Sequence, residues 1–142
     1  MLEIDATPGG QVLRTALGFS CLLEREIKVS NIRQARPNPG LQQQHLTAVK
    51  ALQKLCNAET EGAFRGSTEL TFRPKKFSGG RINVNVGTAG STLLIVQSLM
   101  IPSLIKETQA RLFGGTDVMF APTFSHSNEV LIPLLRKMNA KF

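Results

Sequence analysis

The sequence predicts an α+β fold made of two tandem β-α-β-α-β-β-type units, residues 1–77 and 78–142, with the second lacking its closing strands. Three observations predict it. Apolar spacing switches along the chain between the two-residue period of strands and the roughly 3.6-residue period of helices. Glycine-containing turns recur where a strand should hand over to a helix, or to a loop that precedes one. The order of elements in the first unit starts again after Ser78-Gly79-Gly80.

The elements follow in order. Leu2–Asp5 alternates briefly and ends in the turn Ala6-Thr7-Pro8-Gly9-Gly10. Gln11–Leu23 carries helical spacing, with Val12, Leu13, Ala16, Leu17, Ser20 and Cys21 on the expected buried stripe. Ile27–Ile32 reads as a strand, and RQARPNPG blocks regular structure because its prolines lack a backbone donor and restrict their neighbours. A second helix is expected over Leu41–Asn57, with Leu46, Val49, Leu52, Leu55 and Cys56 facing inward. Glu59–Ala63 and Thr68–Phe72 are short strands on either side of an Arg65-Gly66 turn.

In the second unit, Arg81–Val86 is a strand, Gly87-Thr88-Ala89-Gly90 a turn and Ser91–Leu104 the most apolar helix. Gln109–Phe113 is a strand, and Ser125–Met138 a helix interrupted at Pro133. A unit without its last two strands leaves a sheet edge unpaired. The chain is therefore expected to belong to a longer protein or to be completed by a second chain.

Composition narrows the class. At 142 residues, 42% hydrophobic and 19% charged, the chain is poorly suited to disorder, collagen or coiled coil. Cys21 and Cys56 make no disulfide framework and no CxxC pair, and two histidines exclude a His-rich metal site. The net charge is +7, with 11 bases against 7 acids in residues 1–80 and 6 against 3 in residues 81–142. A basic excess spread this way favours phosphate-bearing partners. No apolar run reaches the ~20 residues that span a bilayer. The N-terminus lacks the charged and apolar regions of a secretory signal, so an intracellular protein of cytoplasm or nucleus is expected.

Four glycine turns, Gly9-Gly10, Gly40, Gly87/Gly90 and Gly114-Gly115, either cradle phosphate with converging N–H groups or merely allow tight connections. None is a P-loop or GxGxxG. The densest polar group is Arg33, Arg36, Gln44 and His45, with Arg14 positioned to face the same side. Guanidinium groups grip phosphate in planar pairs, and the stiff loop argues for a pre-shaped site over a solvated one. His126 and Glu129 are spaced for a metal but have no third ligand, so no metal site is assigned. Asp5 and Asp117 sit at turns where magnesium ligation is possible. Ser91 lacks partners for an acyl-transfer triad. Phe64, Phe72, Phe77, Phe113, Phe120 and Phe124 either stack a base or pack a core.

The stretch RQARPNPGLQQQHLTAVKAL resembles the RNA 3′-terminal phosphate cyclases, and the likeness continues through GSTELTFRP, GTAGSTLLIVQSLMIPSL and LFGGTDVMFAP. It covers nearly the whole chain in one register. The resemblance implies repeats of the β-α-β-α-β-β unit similar to those of translation initiation factor three and the enolpyruvate transferases. It also implies a reaction in which ATP and a divalent ion, Mg2+ or Mn2+, activate an RNA 3′-phosphate for closure to a 2′,3′-cyclic end. By motif position, Arg14, Arg33, Arg36, Gln44 and His45 resemble the family's substrate-phosphate contacts, and Gln97 and Pro122 its ATP contacts.

Two departures stand out. The family opens with a pattern like DGxxxEGGGQIL, whereas this chain has DATPGGQVL, three residues shorter and without the glutamate that resembles a metal ligand. The family's nucleophilic histidine lies in a third repeat beyond this chain, so no catalytic residue is assigned within it. The expected function is an ATP-dependent RNA 3′-phosphate cyclase needing a further part. The alternatives are a non-catalytic RNA-binding relative acting in RNA processing or ribosome assembly, and a relic that does not fold alone.

Overall fold

In the computed structural model, which describes residues 1–141, the short strand β1 (Leu2–Asp5) runs parallel to β2 (Ile27–Ser30), from Leu2↔Ile27 to Asp5↔Ser30. A parallel pair needs a crossover, and α1 (Gly10–Leu23) supplies it. After α2 (Gln43–Cys56), strands β3 (Glu59–Glu61) and β4 (Leu70–Arg73) close the sheet in the order β1-β2-β4-β3, with β4 antiparallel to both neighbours. The second sheet is a parallel pair, β5 (Gly80–Asn85) and β6 (Thr108–Phe113), joined through α3 (Thr92–Ser103). A last helix, α4, covers 124–137 as Phe124–His126, a π-helical stretch Ser127–Leu131, and Ile132–Lys137. The chain is thus mixed α+β.

The apolar patterns act as expected over most of this frame. Leu46, Val49, Leu52, Leu55 and Cys56 all turn inward on α2, and Ile27 and Val29 do so on β2. Phe72 and Phe77 are fully buried, each stabilising by about 1.5–3 kcal/mol, so core packing accounts for these two phenylalanines. One apolar cluster runs from Ala6 to Leu99 across both sheets. The Cys21 and Cys56 thiols lie in it 3.6 Å apart, and hydrogen bonding to Cys56 together with burial pushes the Cys21 thiol far above its ordinary range.

Four expectations are corrected. On α1, Val12 is only half-buried, whereas Arg14 and Gly18 are buried. A single stripe misses this because α1 is covered on two sides, by α2 and by α3. At Gly18 an added Cβ would lie 2.9 Å from Ile101 Cδ1 and 3.2 Å from the Ser98 carbonyl, so the two helices meet with only a hydrogen between them. β2 ends at Ser30, not Ile32, because Asn31 and Arg33 adopt positive φ of 51° and 58° and turn the chain. The short strands are Glu59–Glu61 and Leu70–Arg73, trimmed by the left-handed Gly62 and the Ser67–Glu69 side-chain turn. Pro133 does not interrupt the last helix: the π stretch ends just before it, so its ring falls in the first turn of the closing segment, where a missing N–H is tolerated.

The proline-rich loop is pinned from beneath. The Gly40 N–H donates to the Ile32 carbonyl at 2.7 Å, Leu41 to Ser67 at 2.9 Å, and Gly66 back to Leu41 at 2.8 Å. Gly40 has φ 78°, and a Cβ there would sit 2.3 Å from the Gly66 carbonyl oxygen, which is backbone and cannot swing away. Gly40→Ala should therefore lower unfolding stability by at least about 2 kcal/mol in urea titration; an unchanged midpoint would contradict the packing of this loop.

Candidate functional site

The site begins where two chain reversals are tied together. Asp5 Oδ1 accepts the Thr7 N–H at 2.7 Å and also the Thr7 hydroxyl, which holds its carboxyl below the ordinary range and fixes the turn into α1. The following loop is fastened to that turn: the Arg33 N–H donates to the Ala6 carbonyl at 2.9 Å and the Ala35 N–H to Thr7 at 3.2 Å. Arg36 Nε donates to the Pro8 carbonyl at 3.1 Å. The Arg33 guanidinium donates to the carbonyls of Asn38 and Gly40, bracing the loop from within. Each guanidinium uses part of its fork on backbone and keeps the remaining N–H groups.

His45 sits in the first turn of α2. Its Nδ1 accepts the Gln42 N–H at 3.1 Å, which leaves the proton of the neutral ring on Nε2. Nε2 faces the start of α1: a Cβ on Gly10 would lie 2.2 Å from it and 3.1 Å from Arg14 Nη1. Glycine at position 10 is thus what lets the ring reach the uncapped end of α1. Arg14 is only 7% exposed, its Nη2 held by Gln11 Oε1 at 2.9 Å, while its Nε has no hydrogen-bond partner among the described residues. Burial lowers the Arg14 pKa to about 10, so it stays cationic at neutral pH. Burial, then the charges of Arg33 and Arg14, lower the His45 pKa to about 4.

These groups line one hollow of about 740 Å³. Arg14, Arg33, Arg36, His45, Gln97 and Pro122 share its wall. Gln44 does not: one residue along a helix turns the side chain by roughly 100°, and Gln44 Oε1 instead approaches Gly90 in the β5–α3 turn. Gln97 Oε1 is buried without a partner among the described residues. Among the described residues the wall holds no carboxylate. Its charged and hydrogen-bonding groups are mostly donors, in a setting that repels cations and accepts an anion.

Other candidates have structural employment. Asp117 Oδ1 accepts the Phe124 N–H at 3.3 Å, and Ser91 is fully buried as the cap of α3, accepting from Leu94 at 3.4 Å. His126 and Glu129 are exposed, and among the described residues no group of three His, Cys, Asp or Glu side chains lies close enough to hold a metal. No helix among the described residues is long and apolar enough to cross a membrane. Sequence reasoning passed over Gln11, the residue that steadies Arg14; its signal was the i, i+3 spacing in the first turn of α1.

Fold and hollow together define an α+β protein with an anion-accepting cleft between two helix starts. The sequence model for RNA 3′-terminal phosphate cyclase matches residues 6–142, and the chain belongs to that family. It is 43% identical over 143 residues to the RNA 3′-terminal phosphate cyclase of Methanosarcina acetivorans, covering 97% of this chain and 40% of that one. It is 42% identical over 146 residues to that of Archaeoglobus fulgidus, covering 99% and 44%, and 45% identical over 142 residues to that of Saccharolobus islandicus, covering 97% and 42%. The chain therefore spans less than half the length of these curated relatives.

The depressed His45 pKa gives a signed test. The folded chain keeps the ring neutral where an unfolded histidine near 6.5 takes up a proton. Stability due to His45 is therefore full above about pH 6.5 and falls as pH drops to about 4, by about 3 kcal/mol in total. Denaturant titrations of the unsubstituted chain and His45→Gln across pH 7 to 4 should show that difference closing; parallel pH profiles would refute the buried neutral imidazole.

Proposed function

We propose that this chain carries the phosphate-gripping part of an ATP-dependent RNA 3′-terminal phosphate cyclase. In this reading residues 1–77 and 78–142 are tandem units of one repeat type, and further chain or a second polypeptide supplies the rest. The carrying observation is the hollow that gathers Arg14, Arg33, Arg36 and His45, with no carboxylate and a buried guanidinium nitrogen without a partner among the described residues. The names of the relatives support RNA bearing a 3′-phosphate as the ligand.

Arg14 and Arg36 take the anionic oxygens in charge-assisted hydrogen bonds, and His45 Nε2–H adds a neutral donor. Gln97 and Pro122, on the same wall, are the contacts for ATP. ATP supplies the adenylyl group that makes a 3′-phosphate oxygen a leaving group, which permits ring closure by the neighbouring 2′-hydroxyl. The donor-rich wall fits the phosphates of ATP. It suits Mg2+ or Mn2+ poorly, because among the described residues it offers no carboxylate, so no step here is routed through a metal.

Two bare features favour completion by more chain. Among the described residues β1, β3, β5 and β6 each pair on one edge only, and beside β1 a largely apolar cleft of about 690 Å³ exposes Leu2, Phe19 and Leu23. A second reading, a non-catalytic RNA-binding protein of RNA processing or ribosome assembly, is favoured by the absence of any carboxylate in the wall.

Two measurements follow. Inorganic pyrophosphate should bind the chain, and Arg36→Ala, at an exposed residue, should weaken it roughly tenfold; equal affinity by calorimetry would empty the hollow of its role. A 3′-phosphorylated oligoribonucleotide with ATP and Mg2+ should be cyclised only when the remainder of a relative's chain is added. Binding with no turnover in either mixture would favour the second reading.

A further inference from the structure

Beyond β6 the chain makes a tight turn in which the Ala121 N–H donates to the Val118 carbonyl at 3.1 Å. Its third residue is Phe120, with φ 62°. That position is the one where turns call for glycine or asparagine, and a bulky residue there is an outlier. Burial does not compensate, because Phe120 is 97% exposed, more than any other large apolar residue described. Phe64, Phe113 and Phe124, at 63%, 50% and 54%, each keep more of their surface covered.

The backbone that carries the ring is nonetheless fastened. Asp117 Oδ1 accepts from the Phe124 N–H at 3.3 Å, and the Thr123 hydroxyl accepts from His126 N–H at 3.1 Å, so both ends of the segment are fastened to the start of α4. Phe120 and Pro122 line the same hollow as Arg14, Arg36 and His45. An aromatic face, bare to solvent at the mouth of a cationic cavity, has the chemistry of a stacking platform.

We propose that Phe120 stacks the base of a nucleotide whose phosphate is held by Arg14, Arg36 and His45. The inference rests on the phosphate reading above and adds to it the residue that tells a nucleotide from a bare phosphate. Stacking tolerates any base, so the same platform can serve an adenine nucleotide or the last nucleotide of an RNA.

The chain contains no tryptophan and no tyrosine, so Phe120→Trp introduces a lone indole. ATP or a 3′-phosphorylated oligoribonucleotide should quench its emission; pyrophosphate, which has no base, should bind without quenching. Quenching by ATP alone assigns the platform to the adenine nucleotide, quenching by the oligoribonucleotide alone to the RNA end, and either outcome supports it. Phe120→Ala, which removes no packing, should weaken the quenching nucleotide roughly tenfold in calorimetry while leaving pyrophosphate affinity unchanged. Nucleotides that bind without changing the indole, or that bind Phe120→Ala as tightly as the unsubstituted chain, would overturn the platform while leaving the phosphate site standing. Failure of pyrophosphate to bind the unsubstituted chain would overturn both.

Discussion

The meeting of the His45 ring with the backbone of Gly10 is the contact on which the site depends. No side chain fits between them, since a Cβ at position 10 would fall 2.2 Å from Nε2. That closeness brings the starts of α1 and α2 to one place, and the loop carrying Arg33 and Arg36 is fastened over both by hydrogen bonds to Ala6, Thr7 and Pro8. Glycine at the entry to α1 has two uses here. Gly9, at φ 147°, takes a conformation other residues avoid and carries the Arg36 guanidinium above it, and Gly10 makes room for the imidazole.

Electrostatics then decides what such a place can hold. Three guanidinium groups and a neutral imidazole face a common space with no acid to balance them. Burial, reinforced by the Arg33 and Arg14 charges, keeps the imidazole neutral, so it contributes a hydrogen bond without adding a fourth positive charge to a crowded wall. An entering anion reverses that balance, because it favours every one of these donors at once. The two aspartates are committed to structure, Asp5 to its own turn and Asp117 to the start of α4.

Much of this was legible in the amino-acid order, for identifiable reasons. The buried face of α2 follows from simple helical spacing, and the gathering of Arg14, Arg33, Arg36 and His45 follows from a stiff loop between a strand end and a helix start. What escaped depends on neighbours that no local pattern contains. Gly18 is buried because α3, about eighty residues away in sequence, covers that side of α1, and Arg14 is buried where the start of α1 meets His45. Gln44 looks like a partner of His45 on paper, yet its position on the helix turns it toward Gly90. Phe120 was one of six phenylalanines of equal standing; only its place on the hollow's rim separates it from Phe72 and Phe77 in the core.

Gly18 has a consequence for the molecule as a whole. A two-stranded ribbon such as β5–β6 has too little interior to stand by itself, and α3 covers it while leaning on α1 across that single hydrogen atom. Division of the polypeptide near residue 77 would leave neither half with a closed interior. The two sheets thus share one interior, and loosening the Gly18 contact would open apolar surface on both sides of it at once.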